Sequence, residues 1–376
     1  MKYCRKCILP DTRPGIVFDE EGICQGCRYF ESLNSVDWEV RRAELRQTAD
    51  WAKAHRSPYG WDSVISVSGG KDSTRQAIYA RDQLGLNPLL VSTVYPPEFV
   101  THIGVKNLEN LTMMGFDTIS MCPNPYAYKQ LVRKSFFDYG NIYKASESVL
   151  FAGAQRIATA YKIPLVVLGE NGSIVYGDYA SQKDGGNAKN LKNINTLQGG
   201  DVRWMVDEKL EIKSQDLLMY TFPNVDYEDQ LKVIYLGYYI KDFCQLVNGL
   251  YSMVYGLQYK TDDLRGRGTP YLFSQNDTDF VPVNQILKFV KFGFAKGGED
   301  LSELVKLGVI TRETAIELSH QVDGKCADFY VENFCSYLNI TTQEFWTVVE
   351  KFRNPEIWKK VNDEWTLKEP LLRSMF

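Results

Sequence analysis

The stretch DSVISVSGGKDSTRQ, residues 62–76, decides the fold. An apolar run, Val64 to Val67, stops abruptly at Ser68-Gly69-Gly70, and a charged, helix-compatible segment follows. This pattern predicts a strand that feeds a helix through a glycine turn. Two adjacent glycines let the backbone approach an anion closely and turn its N–H groups inward. Ser68 and Ser73 add hydroxyls, and the helix N-terminus adds partial positive charge. Lys71 supplies a full charge against phosphate. Asp72 is out of place beside an anion unless it meets a cation, which assigns it to Mg²⁺. The spacing is not that of a Walker A loop, nor of G-x-G-x-x-G.

Outward from this turn, strand and helix patterns alternate. Strands are predicted over 64–67, 88–95, 116–121 and 163–169, with helices over 71–84, 100–114, 125–138 and 146–161. Alternation of this kind implies an α/β fold, a doubly wound parallel sheet covered on both faces. Ligands in such sheets bind outside the strand C-termini. Candidate nucleotide contacts are therefore Thr93 after the second strand, Asn107 on the following helix, and Gly169 and Asn171 after the last strand. Glu170, directly after the run LVVLG, is a candidate to orient a nucleophile or accept a proton. The segment 171–203 is polar and rich in Gly and Asn, and is expected to be a lid over the site. Beyond about 240 the pattern is helical and aromatic. The boundaries drawn are a ribbon over 1–33, a linker helix over 34–60, the α/β domain over 61–240 and a helical region over 241–376.

The ribbon rests on Cys4-x2-Cys7 and Cys24-x2-Cys27, with sixteen residues between the pairs. That spacing is a structural-zinc spacing: each turn points two thiolates at one ion, and two turns complete a tetrahedron. Gly26 is placed in the second turn, where tight geometry favours glycine. An iron–sulfur cluster is the rival occupant, since it also takes four thiolates. Cys122, Cys244, Cys326 and Cys335 are scattered singly and are expected to be small buried residues.

Composition narrows the function class. Lys plus Arg total 43 and Asp plus Glu 47, a net charge of −4, which argues against nucleic acid as the main partner. The N-terminus lacks the apolar core of a secretory signal, and no apolar run approaches membrane-spanning length. A cytoplasmic protein without a membrane partner is expected.

The stretch Ser68-Gly69-Gly70-Lys71-Asp72-Ser73 resembles the signature of the pyrophosphate-loop ATPases. More of the chain resembles one branch. The cysteine quartet, IGVKNLENL (103–111), LGENG (168–172), GRGTPY (266–271), VKFGF (290–294) and GVITRETAIEL (308–318) together look like the N-acetyl sugar amidotransferases of bacterial surface-polysaccharide pathways. The resemblance implies that ATP adenylates the N-acetyl oxygen, that AMP and pyrophosphate are released, and that ammonia forms an acetamidino group. It departs from the family after KFGF, where Lys296 stands nearest to the position of an expected arginine. Removal of the initiator Met would expose Lys2 rather than a nucleophilic cysteine, so a built-in glutaminase is not expected. The resemblance implies a separate glutaminase and a barrel-shaped ammonia conduit, similar to the pair used in histidine biosynthesis. Two alternatives stand beside this reading: a tRNA-modifying sulfurtransferase of the same superfamily, and a non-enzymatic zinc scaffold.

Overall fold

The computed structural model describes all residues except 94, 97, 170–184, 194 and 372–376. Five strands form one parallel sheet: β1 (Ser63–Val67), β2 (Pro88–Thr93), β3 (Thr118–Met121), β4 (Leu165–Leu168) and β5 (Lys232–Tyr235), in the order β3-β2-β1-β4-β5. Every neighbouring pair is parallel, with Val64 beside Leu89 and Val166, and Val166 beside Val233. Continuous apolar strands of this kind bury both faces, and they do so against different helices. Ile65, Leu90, Leu165 and Ile234 face α2 (Trp38–Ala54), α3 (Lys71–Asp82) and α4 (His102–Met113) through Leu45, Ala77 and Leu111. Val64, Leu89, Val166 and Val233 face α6 (Lys144–Ala160) through Ala154 and Ala158.

The strand order reverses between β1 and β4, because the chain runs outward from β1 to β3 and then returns to the other side. The crevice outside the C-termini of those two strands is where ligands sit in open sheets. The loop that begins at Ser68 leaves β1 there.

The fifth strand is an addition to the expected set. Among the described residues the chain reaches it through a long run of short 3₁₀ turns. Part of the expected lid is also packed structure. Residues 171–184 of it lie outside the described residues, but Ala188, Leu191 and Leu197 join the core beneath α6.

The C-terminal helices are α7 (Gln245–Val254), α8 (Leu264–Arg267), α9 (Val281–Phe292), α10 (Lys296–Lys306), α11 (Arg312–Val322), α12 (Asp328–Leu338) and α13 (Thr342–Lys351), followed by an antiparallel hairpin, β6 (Trp358–Val361) and β7 (Glu364–Leu367). They are joined to the α/β part through α5 (Pro125–Tyr139), whose Tyr128, Val132 and Phe136 share a core with Val283, Leu287, Phe334 and Phe345.

In the N-terminal segment, antiparallel bridges join Tyr3 to Pro10 and Phe18 to Cys24, and a short helix, α1 (Gln25–Ser32), follows. Gly26 lies within that helix, so it does not supply the turn. Gly15 and Gly22 do, each at φ +77°. The ribbon is not a separate appendage: Cys4, Leu9 and Ile23 pack with Phe294 and Val305, and Ile8 packs with Leu301 and Leu304 of α10. Two of the single cysteines differ from expectation. Cys122 is exposed and Cys326 only partly buried, because both sit outside the cores, on loops after β3 and before α12.

Candidate active site and metal centre

The glycine turn is built as its residue types demand. Gly69 holds φ +76°, and a Cβ there would lie 2.8 Å from the Gly104 carbonyl oxygen on α4. Only glycine satisfies both the left-handed backbone and that approach. Gly104 in turn lies against Asp277, where a Cβ would meet the Asp277 Cα at 2.9 Å. The turn, the start of α4 and the loop before α9 are thus stacked in contact. The backbone confirms this: Thr101 N–H donates to the Asp277 carbonyl at 3.0 Å.

Helix α3 opens with Lys71, Asp72 and Ser73. Lys71 Nζ donates to Asp72 Oδ2 at 2.8 Å, and Asn248 Nδ2 of α7 donates to Asp72 Oδ1 at 2.7 Å. Asn248 is itself held by Arg75, whose Nη1 donates to its Oδ1 at 2.7 Å and whose Nη2 pairs with Asp242 at 2.7 Å. Ser252 of the same helix donates to the Lys71 carbonyl at 2.7 Å. Burial pushes the Asp72 carboxyl up, but Lys71, Asn248 and Lys296 outweigh it and hold the group below its ordinary range. Asp72 is therefore an anion at neutral pH and remains partly exposed, the state a cation ligand needs.

A second layer of charge comes from α10. Lys296 Nζ donates to Asp300 Oδ1 at 2.8 Å and to Gln245 Oε1 at 3.2 Å, while Gln245 Nε2 donates to Asp300 and Glu303, each at 2.9 Å. Burial pushes the Glu303 carboxyl up, and Asp300 beside it adds to the shift. Lys71 is close enough to Glu303 and to Asp277 to lower both. Lys296, the departure noted after KFGF, thus sits within electrostatic reach of the glycine turn.

These groups form a closed chain of neighbouring charges. From Lys71 it passes to Asp277, to Tyr95, to Glu147 on α6, to Lys288 on α9, to Glu299 and Lys296 on α10, and back to Asp72, each within electrostatic reach of the next. Asp72, Asp277, Glu147, Lys288 and Lys296 keep partial exposure although their titration is shifted by burial or strong neighbours. Charged groups both desolvated and accessible mark a candidate functional site.

The residues proposed from sequence are placed differently. Ser68 to Ser73 form the turn and the start of α3. Thr93 is buried, its hydroxyl without a hydrogen-bond partner among the described residues, and it lies against Gly153 of α6. Asn107 is turned elsewhere: its amide donates to the Gln258 carbonyl at 3.0 Å and accepts the Gln258 N–H at 2.8 Å, docking the strand-like segment after α7. Gly169 gives room to Gln76, whose Nε2 would lie 2.6 Å from a Cβ there. Glu170 and Asn171 lie outside the described residues. Arg75, Asn248, Asp277 and Glu147 were not foreseen. Asn248 had a legible signal, a polar residue inside the apolar helical run QLVNGL.

The metal centre is separate. Cys4, Cys7, Cys24 and Cys27 are buried, with their four sulfurs within 4.8 Å of one another. Cys4 and Cys27 sulfurs are 3.8 Å apart, and those of Cys7 and Cys24 3.7 Å. Four sulfurs about 2.3 Å from a single tetrahedral ion stand about 3.8 Å apart, so the cluster fits one ion. A four-iron cube puts each thiolate on a different iron and needs a wider spread. Cys24 N–H points at the Cys4 sulfur at 3.3 Å and Cys27 N–H at the Cys24 sulfur at 3.4 Å, both favouring thiolates.

Comparison with known proteins agrees with part of this picture. Residues 266–371 match the family described as LPS biosynthesis protein WbpG-like, C-terminal domain. The match covers the segments GRGTPY, VKFGF and GVITRETAIEL, and supports the surface-polysaccharide family suspected from them. No curated protein matches the chain. Among solved structures, NMN synthetase from Francisella tularensis is similar at 15% identity and TM-score 0.31, over 81% of this chain and 94% of that one. The U34-tRNA thiolase NcsA from Methanococcus maripaludis, solved with its 4Fe–4S cluster, is similar at 12% identity and TM-score 0.29, over 85% and 89%. No helix among the described residues is long and apolar enough to cross a membrane.

Proposed function

We propose that this chain is an ATP-dependent, AMP-forming amidotransferase that converts the acetamido group of a sugar, or of a nucleotide-linked sugar, to an acetamidino group in surface-polysaccharide synthesis. The observation that carries the reading is the junction between the glycine turn and the segment matched to the lipopolysaccharide family. Asp277 and Lys296, both in that segment, lie within electrostatic reach of Lys71 and Asp72 respectively, which supports the reading.

An amide is a poor electrophile. Transfer of AMP to its oxygen makes that oxygen a leaving group, so ammonia can attack the carbon. In this reading Ser68, Gly69, Gly70 and Ser73 bind the pyrophosphate as it leaves, and Lys71 screens its charge. Mg²⁺, when bound, neutralises phosphate oxygens, and Asp72 is the residue to hold it. In this reading the site holds amide, nucleotide and ammonia together. The four cysteines hold zinc as a structural ion. Ammonia comes from a separate glutaminase through a barrel-shaped conduit, because only neutral NH₃ attacks and little of it is present at pH 7.

The test is direct. Purified protein with ATP, Mg²⁺, ammonium at alkaline pH and a panel of di-N-acetylated sugars should yield AMP, pyrophosphate and a product about one mass unit lighter than its substrate, since an oxygen is replaced by NH. ADP with phosphate would rule out adenylation. Sulfur transfer to tRNA, with no product from any N-acetyl sugar, would assign the chain to the other branch.

A further inference from the structure

We infer that Glu147 is the proton acceptor of the amidination step, placed at the end of the sheet that carries the glycine turn. The inference rests on the amidotransferase reading above. It begins with topology. Helix α6 precedes β4 and runs antiparallel to it, so its first turn lies at the C-terminal end of the parallel sheet. That is the end at which ligands bind. Glu147 occupies that first turn.

Its environment differs from that of Asp72, Glu299 and Asp300. Asp72 is tied to Lys71 and Asn248, Glu299 to Lys288, and Asp300 to Lys296 and Gln245. Their lone pairs are committed to holding the site together. The Glu147 carboxylate makes no hydrogen bond and no ion pair among the described residues. A recessed carboxylate without a partner is costly unless a ligand or reactant engages it.

The groups that face it come from three elements. Lys144 lies one turn before it on α6, Lys288 approaches from α9, and Tyr95 from the loop after β2. Neither lysine is spent on Glu147. Lys288 Nζ donates to Glu299 at 2.6 Å, and Lys144 Nζ donates to Gln198 at 3.3 Å. Burial raises the Glu147 carboxyl to about 7, against the opposing pull of Lys144 and Lys288. A carboxylate poised near the working pH is matched to general-base duty.

The step balances as follows. The ammonia nitrogen forms a bond to the adenylated acetamido carbon. Glu147 takes one proton from that nitrogen. The bond between the carbon and the adenylyl oxygen breaks, and its electron pair leaves with AMP. The carboxylic acid then returns its proton to solvent.

The experiment separates the two halves of the reaction. Sugar-dependent exchange of labelled pyrophosphate into ATP reads adenylation, and ammonium-dependent acetamidino product reads amidination. For Glu147→Gln, the ratio of product formation to exchange should fall by about 100-fold or more, with Glu147→Asp restoring part of it. At a fixed concentration of free NH₃, the wild-type product rate should show an ionisation near 7 that Glu147→Gln lacks. Glu170→Gln serves as the parallel arm. An unchanged ratio in Glu147→Gln, or an equal loss of exchange and product in the folded variant, overturns the role of Glu147 and leaves the amidotransferase reading standing. Absence of sugar-dependent exchange in the wild-type protein overturns that reading and this role with it.

Discussion

Asn248 is the joint through which a C-terminal helix holds the phosphate-binding end of the site. It is fully buried, accepts from Arg75 and donates to Asp72, both at 2.7 Å. Asn248→Ala removes two hydrogen bonds to charged groups, each worth about 1.5–3 kcal/mol. The loss is tempered on both sides. Arg75 keeps Asp242, through its carboxylate at 2.7 Å and its carbonyl at 2.9 Å, and Asp72 is accessible enough for water to replace the amide. A net cost of about 2–4 kcal/mol is expected, or about 3–5 °C in the melting temperature of a chain this large. The Asn248 amide helps to hold the Asp72 carboxyl below its ordinary value of 3.8. The wild-type advantage through Asp72 is therefore complete above the unfolded-state value and is lost as pH falls through the lower folded-state one. Melting curves at pH 7 and at acid pH measure that closing gap. The functional readout is the Mg²⁺ concentration at half-maximal pyrophosphate exchange, which should rise about 5–30-fold if 1–2 kcal/mol of orientation is lost. A variant that melts like wild type and keeps its Mg²⁺ dependence would refute the relay from Arg75 to Asp72.

The other expectations are brief. Gly69→Ala forces φ +76° on a residue with a Cβ and drives that atom to 2.8 Å from the Gly104 carbonyl, so it should lose pyrophosphate exchange and melt lower by about 1–2 kcal/mol or more. Cys24→Ser should lower the metal content below one ion per chain, and exchange activity should fall in step with metal, because the ribbon shares its core with α10; elemental analysis finding iron with sulfide would refute the single-ion site. Asp323 is raised from 3.8 to about 6, chiefly by burial, so folding takes up a proton between those values and stability falls as pH rises through that window. Asp323→Asn keeps an oxygen for the Ala295 and Gly298 N–H groups but not the titration, so its deficit against wild type should shrink by about 2–3 kcal/mol between pH 4 and 7, measured by denaturant unfolding.

What the sequence made legible was local. Val64–Val67 and Leu165–Leu168 are continuous apolar runs bounded by glycine, and their burial on both faces needs no tertiary knowledge. The Cys-x2-Cys pairs announce a shared ion because the spacing itself sets the turn. The strand Lys232–Tyr235 escaped because the sequence before it includes a polar, Gly- and Asn-rich run without a legible helical pattern, so the alternation that flags a parallel strand was missing. Asn107 illustrates a different loss. Its residue type suits a nucleotide contact, but its partner, the backbone of Gln258, lies 151 residues away in the chain. Glu147 and Asp277 have no local mark, since their significance arises only where α6, α9 and the turn after β1 converge.

Helix α10 links the cysteine ribbon to the glycine turn. Lys296, Asp300 and Glu303 recur at intervals of four and three residues, so they share one face. That face meets Gln245 and the charge field of Lys71 and Asp72. Leu301, Leu304 and Val305 pack instead with Ile8 and with Phe294 beside the cysteine cluster. One helix thus carries site groups on one side and ribbon contacts on another. Arg13 of the ribbon adds a second tie, reaching Glu299 at 3.3 Å while Lys288 holds the same carboxylate at 2.6 Å. Burial pushes the Glu299 carboxyl up, and Lys288 and Arg13 more than offset it. Arg13 is turned inward onto Glu299, and Arg312 of α11 reaches back to the Cys7 carbonyl at 3.1 Å. The ribbon's contacts therefore act on the helix that carries Lys296 and Asp300, and the order of the ribbon sets the position of those two groups over the glycine turn.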